Sequence, residues 1–235
     1  MLGSRPDGRH EISTLMQAIS LHDLLELERT SVTALEVNGF NVPVDESNLV
    51  LKALRALEMA AGRSLPTRFR LLKRVPPGAG LGGGSSDAAA SLRGLARLYD
   101  LESDLQPVAA ELGSDVSFFL AGGRARASGH GERLEQLADL PGWFAIAWPQ
   151  TEISTADVYR RWDAVGGEPP NELQRAAVDV RPELATFGEK LGEGWQLTGS
   201  GAAWFKSCPS RSAAETAAAA AAGWTAVARQ VGRWA

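Results

Sequence analysis

Apolar and polar positions along the chain alternate between two periods, and each period predicts a kind of element. Residues 49–61, LVLKALRALEMAA, set apolar side chains at helical spacing behind Asn48, which can accept from unsatisfied first-turn amides, and Gly62 ends the run. Residues 85–100, SSDAAASLRGLARLYD, predict a second helix, with serine and aspartate at its start and alanine and leucine along one face. Further helices are predicted near 106–113, 155–163 and 171–190, and an alanine-rich one over 212–222. Strand patterns occupy 23–39 as two strands broken by a turn, TRFRLLKRV up to Pro76-Pro77, WFAIAWP, WQLTGSGAAWF as strand, turn and strand, and WTAVARQV. The segment VSFFLAGGRARASGHGERLEQL reads as a strand, a turn and further strands. The N-terminal MLGSRPDGRHEIST, rich in turn formers and containing Pro6-Asp7-Gly8, reads as a loop. Pro141 and Gly142 mark a domain boundary, giving segments 1–140 and 141–235.

Composition narrows the class of protein. Of the 235 residues, 44% are hydrophobic and 22% charged, an ordinary soluble balance. A net charge of −4 argues against a broad nucleic-acid surface, while a local cleft for an anionic small molecule remains open. Cys208 is the single cysteine, which fits a reducing compartment and excludes an internal disulfide; the three histidines are far apart in sequence, so no metal cage is expected. No stretch reaches the roughly 18 to 20 apolar residues of a membrane helix. These features predict a cytosolic protein without nucleic-acid or membrane partners, and they leave monomer and homodimer both open.

The strongest chemical signal is PPGAGLGGGSSD, residues 76–87. Gly78, Gly80 and Gly83 satisfy G-x-G-x-x-G, but a dinucleotide fold would also need an acidic residue ending a second strand about 20 positions on. Asp100 and Glu102 lie in and after a predicted helix. A P-loop would place lysine and a hydroxyl residue after its last glycine, whereas Gly84 is followed by Ser85-Ser86. What remains is a strand, a bare-backbone loop and a helix N-terminus, an arrangement whose converging N–H groups bind phosphate. Ser85 and Ser86 would add hydroxyl donors or metal-facing oxygens. The plainer alternative is a flexible loop with Ser-Ser-Asp capping the helix.

PPGAGLGGGSSDAAASL resembles the phosphate loop of the GHMP small-molecule kinases, in the triple-glycine form of their isoprenoid-pathway branch. RPDGRHEISTLMQAISLHD, ESNLVLKAL, ELGSDVSFFLAGG, ISTADVYRRWD and LTGSGAAWF resemble further segments of that branch in the same order. The resemblance implies a two-domain α+β fold, an ATP-binding domain over 1–140 and a second domain over 141–235, with the active site in the cleft between them. It implies transfer of the γ-phosphoryl group of ATP, with Mg²⁺, to the 2-hydroxyl of a small cytidine diphosphate substrate, 4-diphosphocytidyl-methylerythritol. The ATP-binding residues would be Pro76, Pro77, Gly78, Ala79, Gly80, Leu81, Gly82, Gly83, Gly84, Ser85 and Ser86. Asp115 falls on the family's catalytic aspartate, there to accept the substrate hydroxyl proton or orient that hydroxyl; from the residues alone it reads as a turn-holding cap. His10 falls on a histidine that hydrogen-bonds cytosine, with Arg9 in place of the family's tyrosine. Tyr159 falls on an aromatic that stacks on the base, though in isolation it reads as a helix-face core residue. Thr155, Gly199, Ser200 and Gly201, with Thr198, would shape the phosphate and substrate pocket.

The family opens with a strand carrying P-A-K-[IL]-N-L, whose lysine stands beside the catalytic aspartate. This chain opens at MLGSRPDG, and its lysines are Lys52, Lys73, Lys190 and Lys206. The expectation is a recorded start downstream of the true one, since every later motif is intact; the alternative is an impaired relative that binds nucleotide. A GHMP kinase for homoserine, mevalonate or a sugar is a third reading, disfavoured by the cytosine-type residues His10 and Tyr159.

Overall fold

The computed structural model describes residues 3–4 and 10–233, with side chains from residue 11. Eleven strands and eight helices follow one another among these residues: β1 (Gly3–Ser4), β2 (His10–Gln17), β3 (Leu24–Arg29), β4 (Ala34–Gly39), α1 (Leu49–Ala61), β5 (Thr67–Lys73), α2 (Gly83–Leu98), α3 (Gln106–Leu112), α4 (Ser114–Ala121), β6 (Arg124–Gly129), β7 (Arg133–Leu137), β8 (Trp143–Trp148), α5 (Thr155–Val165), α6 (Gln174–Val180), α7 (Glu183–Leu191), β9 (Trp195–Leu197), β10 (Trp204–Cys208), α8 (Arg211–Ala220) and β11 (Trp224–Arg229).

The strands form three sheets. Order β3-β5-β4 carries the first half's main core, with β4 parallel to β5 across the α1 crossover and β3 antiparallel to it. Alternation along β5 turns Thr67, Phe69, Leu71 and Lys73 inward and Arg68, Arg70 and Leu72 outward. Phe69 and Leu71 pack there against Leu54 and Leu57 of α1 and Leu92 and Leu95 of α2, all fully buried. Burying one such side chain contributes about 1.5–3 kcal/mol. The outer face carries Arg68 and Arg70 in ion pairs with Glu26, Glu28 and Glu36, exposed contacts that set register more than stability.

Order β11-β8-β10-β9 is antiparallel and is built wholly from residues after 141. One side packs Ile146, Trp148, Leu197 and Trp204 against Val158 of α5 and Leu184 of α7; α8 covers the other through Ala214 and Ala218 against Ala145 and Cys208. The third sheet, β1-β2-β6-β7, is tied to the chain's end: Ala18 donates to Gly123 O, Val231 donates to Ala18 O, and Ile19 bridges to Gln230.

Four expectations change. Residues 116–121, read as a strand, lie in helix α4, because their apolar run is too short for periodicity to decide and its partners are helices: Val116 joins the α1–α2 core, and Phe119 and Leu120 pack on it. Residues 10–14, read as loop, belong to β2, whose ladder to β6 is made with residues more than a hundred positions away. Helix α2 begins on Gly83, two residues earlier than predicted, so the end of the glycine run is its first turn and Ser85, Ser86 and Asp87 do not cap it. The span 171–190 divides into α6 and α7 at Arg181-Pro182, where proline cannot continue the first helix.

Candidate active site

The glycine loop leaves β5 at Lys73, turns at Pro76-Pro77 and enters α2 directly. At the N-cap, Gly82 has a left-handed backbone (φ 68°) and no side chain caps the helix. Its absent Cβ matters, since one would stand 2.7 Å from the Phe119 ring. Ser86 N–H closes the first turn on Gly82 O at 2.9 Å, and Ser86 Oγ donates to Gly83 O at 2.8 Å. The amides ahead of it therefore face outward from the positive end of a 16-residue helix, the arrangement that an anion can cap. Pro76, Pro77, Gly78, Ala79, Gly80, Leu81, Gly82, Gly83, Gly84 and Ser85, with Leu49, enclose a hollow of about 200 Å³ there.

A second loop docks on the first. Ala203 N–H and Thr198 Oγ1 both donate to Ala79 O, at 2.9 and 3.3 Å. Gly80 (φ 72°) comes so close that an added Cβ would lie 2.4 Å from Gly201 O and 3.0 Å from Thr198 O. The predicted turn Thr198, Gly199, Ser200 and Gly201 thus abuts the predicted phosphate loop, backbone against backbone. Thr155, the first residue of α5, shares a 2.9 Å hydroxyl hydrogen bond with Ser200.

Both loops open into one cleft of about 1190 Å³ that also holds Asp115, Ser86, Thr155 and Tyr159. Asp115 sits in the first turn of α4, after Gly113. Water reaches its side chain through the cleft. The flanking walls nevertheless thin that water, and this desolvation raises its carboxyl above the ordinary range. Tyr159, four residues after Thr155, turns to the same cleft; burial raises its phenol first, and the charge of Asp115 adds to the effect. Tyr159 also packs against the second core, so both sequence readings of it meet in one position. The backbone of His10 opens β2, while its side chain, together with Arg9, lies outside the described residues.

The sequence pointed to no role for three further contributors. Asn171 Nδ2 donates to Leu197 O and Gly199 O at 2.9 and 2.8 Å, holding the second loop open, while its Oδ1 accepts from Leu173 N–H. Its signal was an asparagine after Pro169-Pro170 and ahead of a helix. Gly131 presses on Ser114, where a Cβ would come within 2.8 Å of Oγ, so the G-H-G-E turn braces the residue before Asp115. Lys73 Nζ is paired with both Asp23 and Asp87, the latter at 2.9 Å, and all three side chains are almost fully buried. Burial pushes the Asp87 carboxyl up to about 7 against the pull of Lys73, with Asp23 adding to the rise.

Known proteins resemble this chain in sequence and in fold. A family model described as the GHMP kinases N terminal domain matches residues 48–123. The 4-diphosphocytidyl-2-C-methyl-D-erythritol kinase of Deinococcus radiodurans is 38% identical, covering 98% of this chain and 88% of its own. The enzyme of that name from Bacillus pumilus is 45% identical over 72% of this chain, a stretch that spans less than two thirds of its length, 61%. A crystal structure of 4-(cytidine 5'-diphospho)-2C-methyl-D-erythritol kinase superposes with a TM-score of 0.83 at 36% identity, covering 98% of this chain and 94% of that one.

Proposed function

The chain belongs to the 4-diphosphocytidyl-2-C-methyl-D-erythritol kinases, a GHMP kinase family, and on that premise we propose that it transfers the γ-phosphoryl group of ATP to the 2-hydroxyl of 4-diphosphocytidyl-2-C-methyl-D-erythritol. The observation that carries this reading is the single cleft that Asp115 shares with the uncapped α2 N-terminus and the Thr198–Gly201 turn. The triphosphate lies along residues 76–86, its charge met by outward-facing amides. Thr155, Ser200 and Tyr159 face the alcohol substrate, with Tyr159 offering a ring to the cytosine. His10 is assigned to the same base by its place in the sequence alone.

Phosphoryl transfer of this kind is mostly positioning and charge stabilisation. Asp115 orients the attacking hydroxyl and takes its proton; the raised carboxyl brings its basicity nearer to neutrality, where proton transfer is most effective. Among the described residues no group of three His, Cys, Asp or Glu side chains is gathered to cage a metal. Mg²⁺ in such sites is held mainly by phosphates and water with one or two protein oxygens, and Ser85 and Asp115, which line the cleft, fit that donor chemistry. Bound there, Mg²⁺ would neutralise charge on the transferred group.

On this reading residues 1–140 form the ATP-binding domain and 141–235 the second domain, consistent with a sheet built wholly from later strands. The reading is of a cytosolic monomer or homodimer acting on a small-molecule substrate; no helix of the described residues is long and apolar enough to cross a membrane. Phosphotransfer from ATP is assayed with the cytidyl alcohol, homoserine, mevalonate and galactose side by side. Turnover restricted to the cytidyl substrate is expected; preference for another alcohol, or none on any, overturns the proposal.

A further inference from the structure

The proposed phosphate transfer makes no use of the Asp23, Lys73 and Asp87 cluster, although their side chains are only 2%, 3% and 6% exposed. Burying three charges is costly, and an apolar trio of similar size would be as stable or more so. An ammonium beneath the positive end of a helix is unfavourable as well. Lys73 nevertheless lies there: a Cβ on Gly83, the first residue of α2, would stand 2.8 Å from its Nζ.

What the cluster joins explains its place. Asp23 Oδ1 accepts the backbone N–H groups of Arg74 and Val75, at 2.5 and 2.8 Å, where the chain enters the glycine loop. Asp23 Oδ2 takes Lys73, and Lys73 reaches Asp87, in the second turn of α2 where the chain leaves the loop. Between those anchors the loop has little side chain of its own and is held in its middle by the hydrogen bonds of Ala203 and Thr198 to Ala79 O, so the register of its two ends rests on the cluster.

We propose that Asp23, Lys73 and Asp87 are positioning residues that clamp the two ends of the phosphate loop and thereby set the affinity for ATP, an inference that rests on the ATP-binding role of that loop. With both carboxylates ionised the cluster carries a net charge of −1, so it offers a triphosphate no attraction of its own; its contribution is geometric.

Asp87→Ala cuts the exit tether while leaving Lys73 and Asp23 as a neutral pair, so the variant retains a folded core. Asp87→Asn keeps an oxygen for Lys73 Nζ. Binding of adenylyl imidodiphosphate is measured by calorimetry in the full chain, alongside KM for ATP, KM for the alcohol and kcat. Asp87→Ala is expected to weaken nucleotide binding and raise KM for ATP about tenfold or more, with KM for the alcohol unchanged; Asp87→Asn is expected to restore both to within about twofold. Unchanged nucleotide binding in a folded Asp87→Ala variant overturns the proposal, and so does tighter binding in both variants, which would reveal a charge effect. Should the parent bind the analogue yet phosphorylate no cytidyl alcohol, the functional reading fails while the calorimetric comparison still decides the clamp.

Discussion

Gly80→Ala isolates the contact between the two loops. At φ 72° an alanine takes a left-handed backbone, which costs about 1–2 kcal/mol. Its Cβ would also stand 2.4 Å from Gly201 O and 2.9 Å from Gly201 C, backbone atoms that no rotamer change can clear. Restoring an ordinary separation of roughly 3.5 Å needs an opening of about 1 Å. That opening stretches the 2.9 Å hydrogen bond from Ala203 N–H to Ala79 O, a further loss of about 1 kcal/mol. A total of about 2–3 kcal/mol lowers Tm by about 4–12 °C in a chain of this size. A 1 Å displacement of a positioning loop lowers kcat/KM for ATP about a hundredfold. The control is Gly192→Ala, at the end of α7: φ is 79° there, but nothing lies within 4 Å of the added atom. It should show the backbone cost alone, with ATP kinetics unchanged. Thermal melts and steady-state kinetics on both variants decide the matter. If Gly80→Ala melts no lower than Gly192→Ala and keeps its KM for ATP, the close approach of the loops is not what positions the nucleotide.

Asp115→Asn is expected to lower kcat by about 10²–10⁴-fold with KM for ATP little changed. In the parent, kcat/KM should fall as pH falls through the Asp115 pKa, at a higher pH than an ordinary carboxylate would give, because burial raises it; a limb near pH 4 would count against the assignment. Asn171→Ala removes the hydrogen bonds to the Leu197 and Gly199 carbonyls, at a cost of about 1 kcal/mol each, and should raise KM for the alcohol about tenfold in initial-rate assays. Asp87 carries its own pH signature: the native carboxyl titrates at about 7 against 3.8 ordinarily, so the folded state keeps a proton that the unfolded chain releases. Its contribution to stability is complete below about pH 4 and lost as pH rises through 7. Asp87→Asn should therefore gain on the parent between pH 5 and pH 8 in urea titrations, and a constant difference would refute the shift.

The sequence by itself determined those elements whose partners are local. Asn48 and Gly62 bound α1 as expected because capping is settled within a few residues, and β5 formed where alternation predicted a strand. The glycine run and the Thr198–Gly201 turn could be read from residue type as bare-backbone loops, whereas Asp115 was singled out only by the resemblance of its segment. Tertiary structure decided the rest. Whether residues 116–121 became strand or helix depended on α2 and α3 waiting to receive them, and whether residues 10–14 formed a strand depended on β6. Asn171, Asp23 and Asp87 look ordinary in sequence because each acts on backbone or charge far along the chain: Asn171 on carbonyls 26 and 28 residues away, Asp23 on amides 51 and 52 residues away. Periodicity and turn chemistry report what a residue does to its own neighbourhood. A buried charge or a side-chain clamp is defined by its partners, and only folding brings those together.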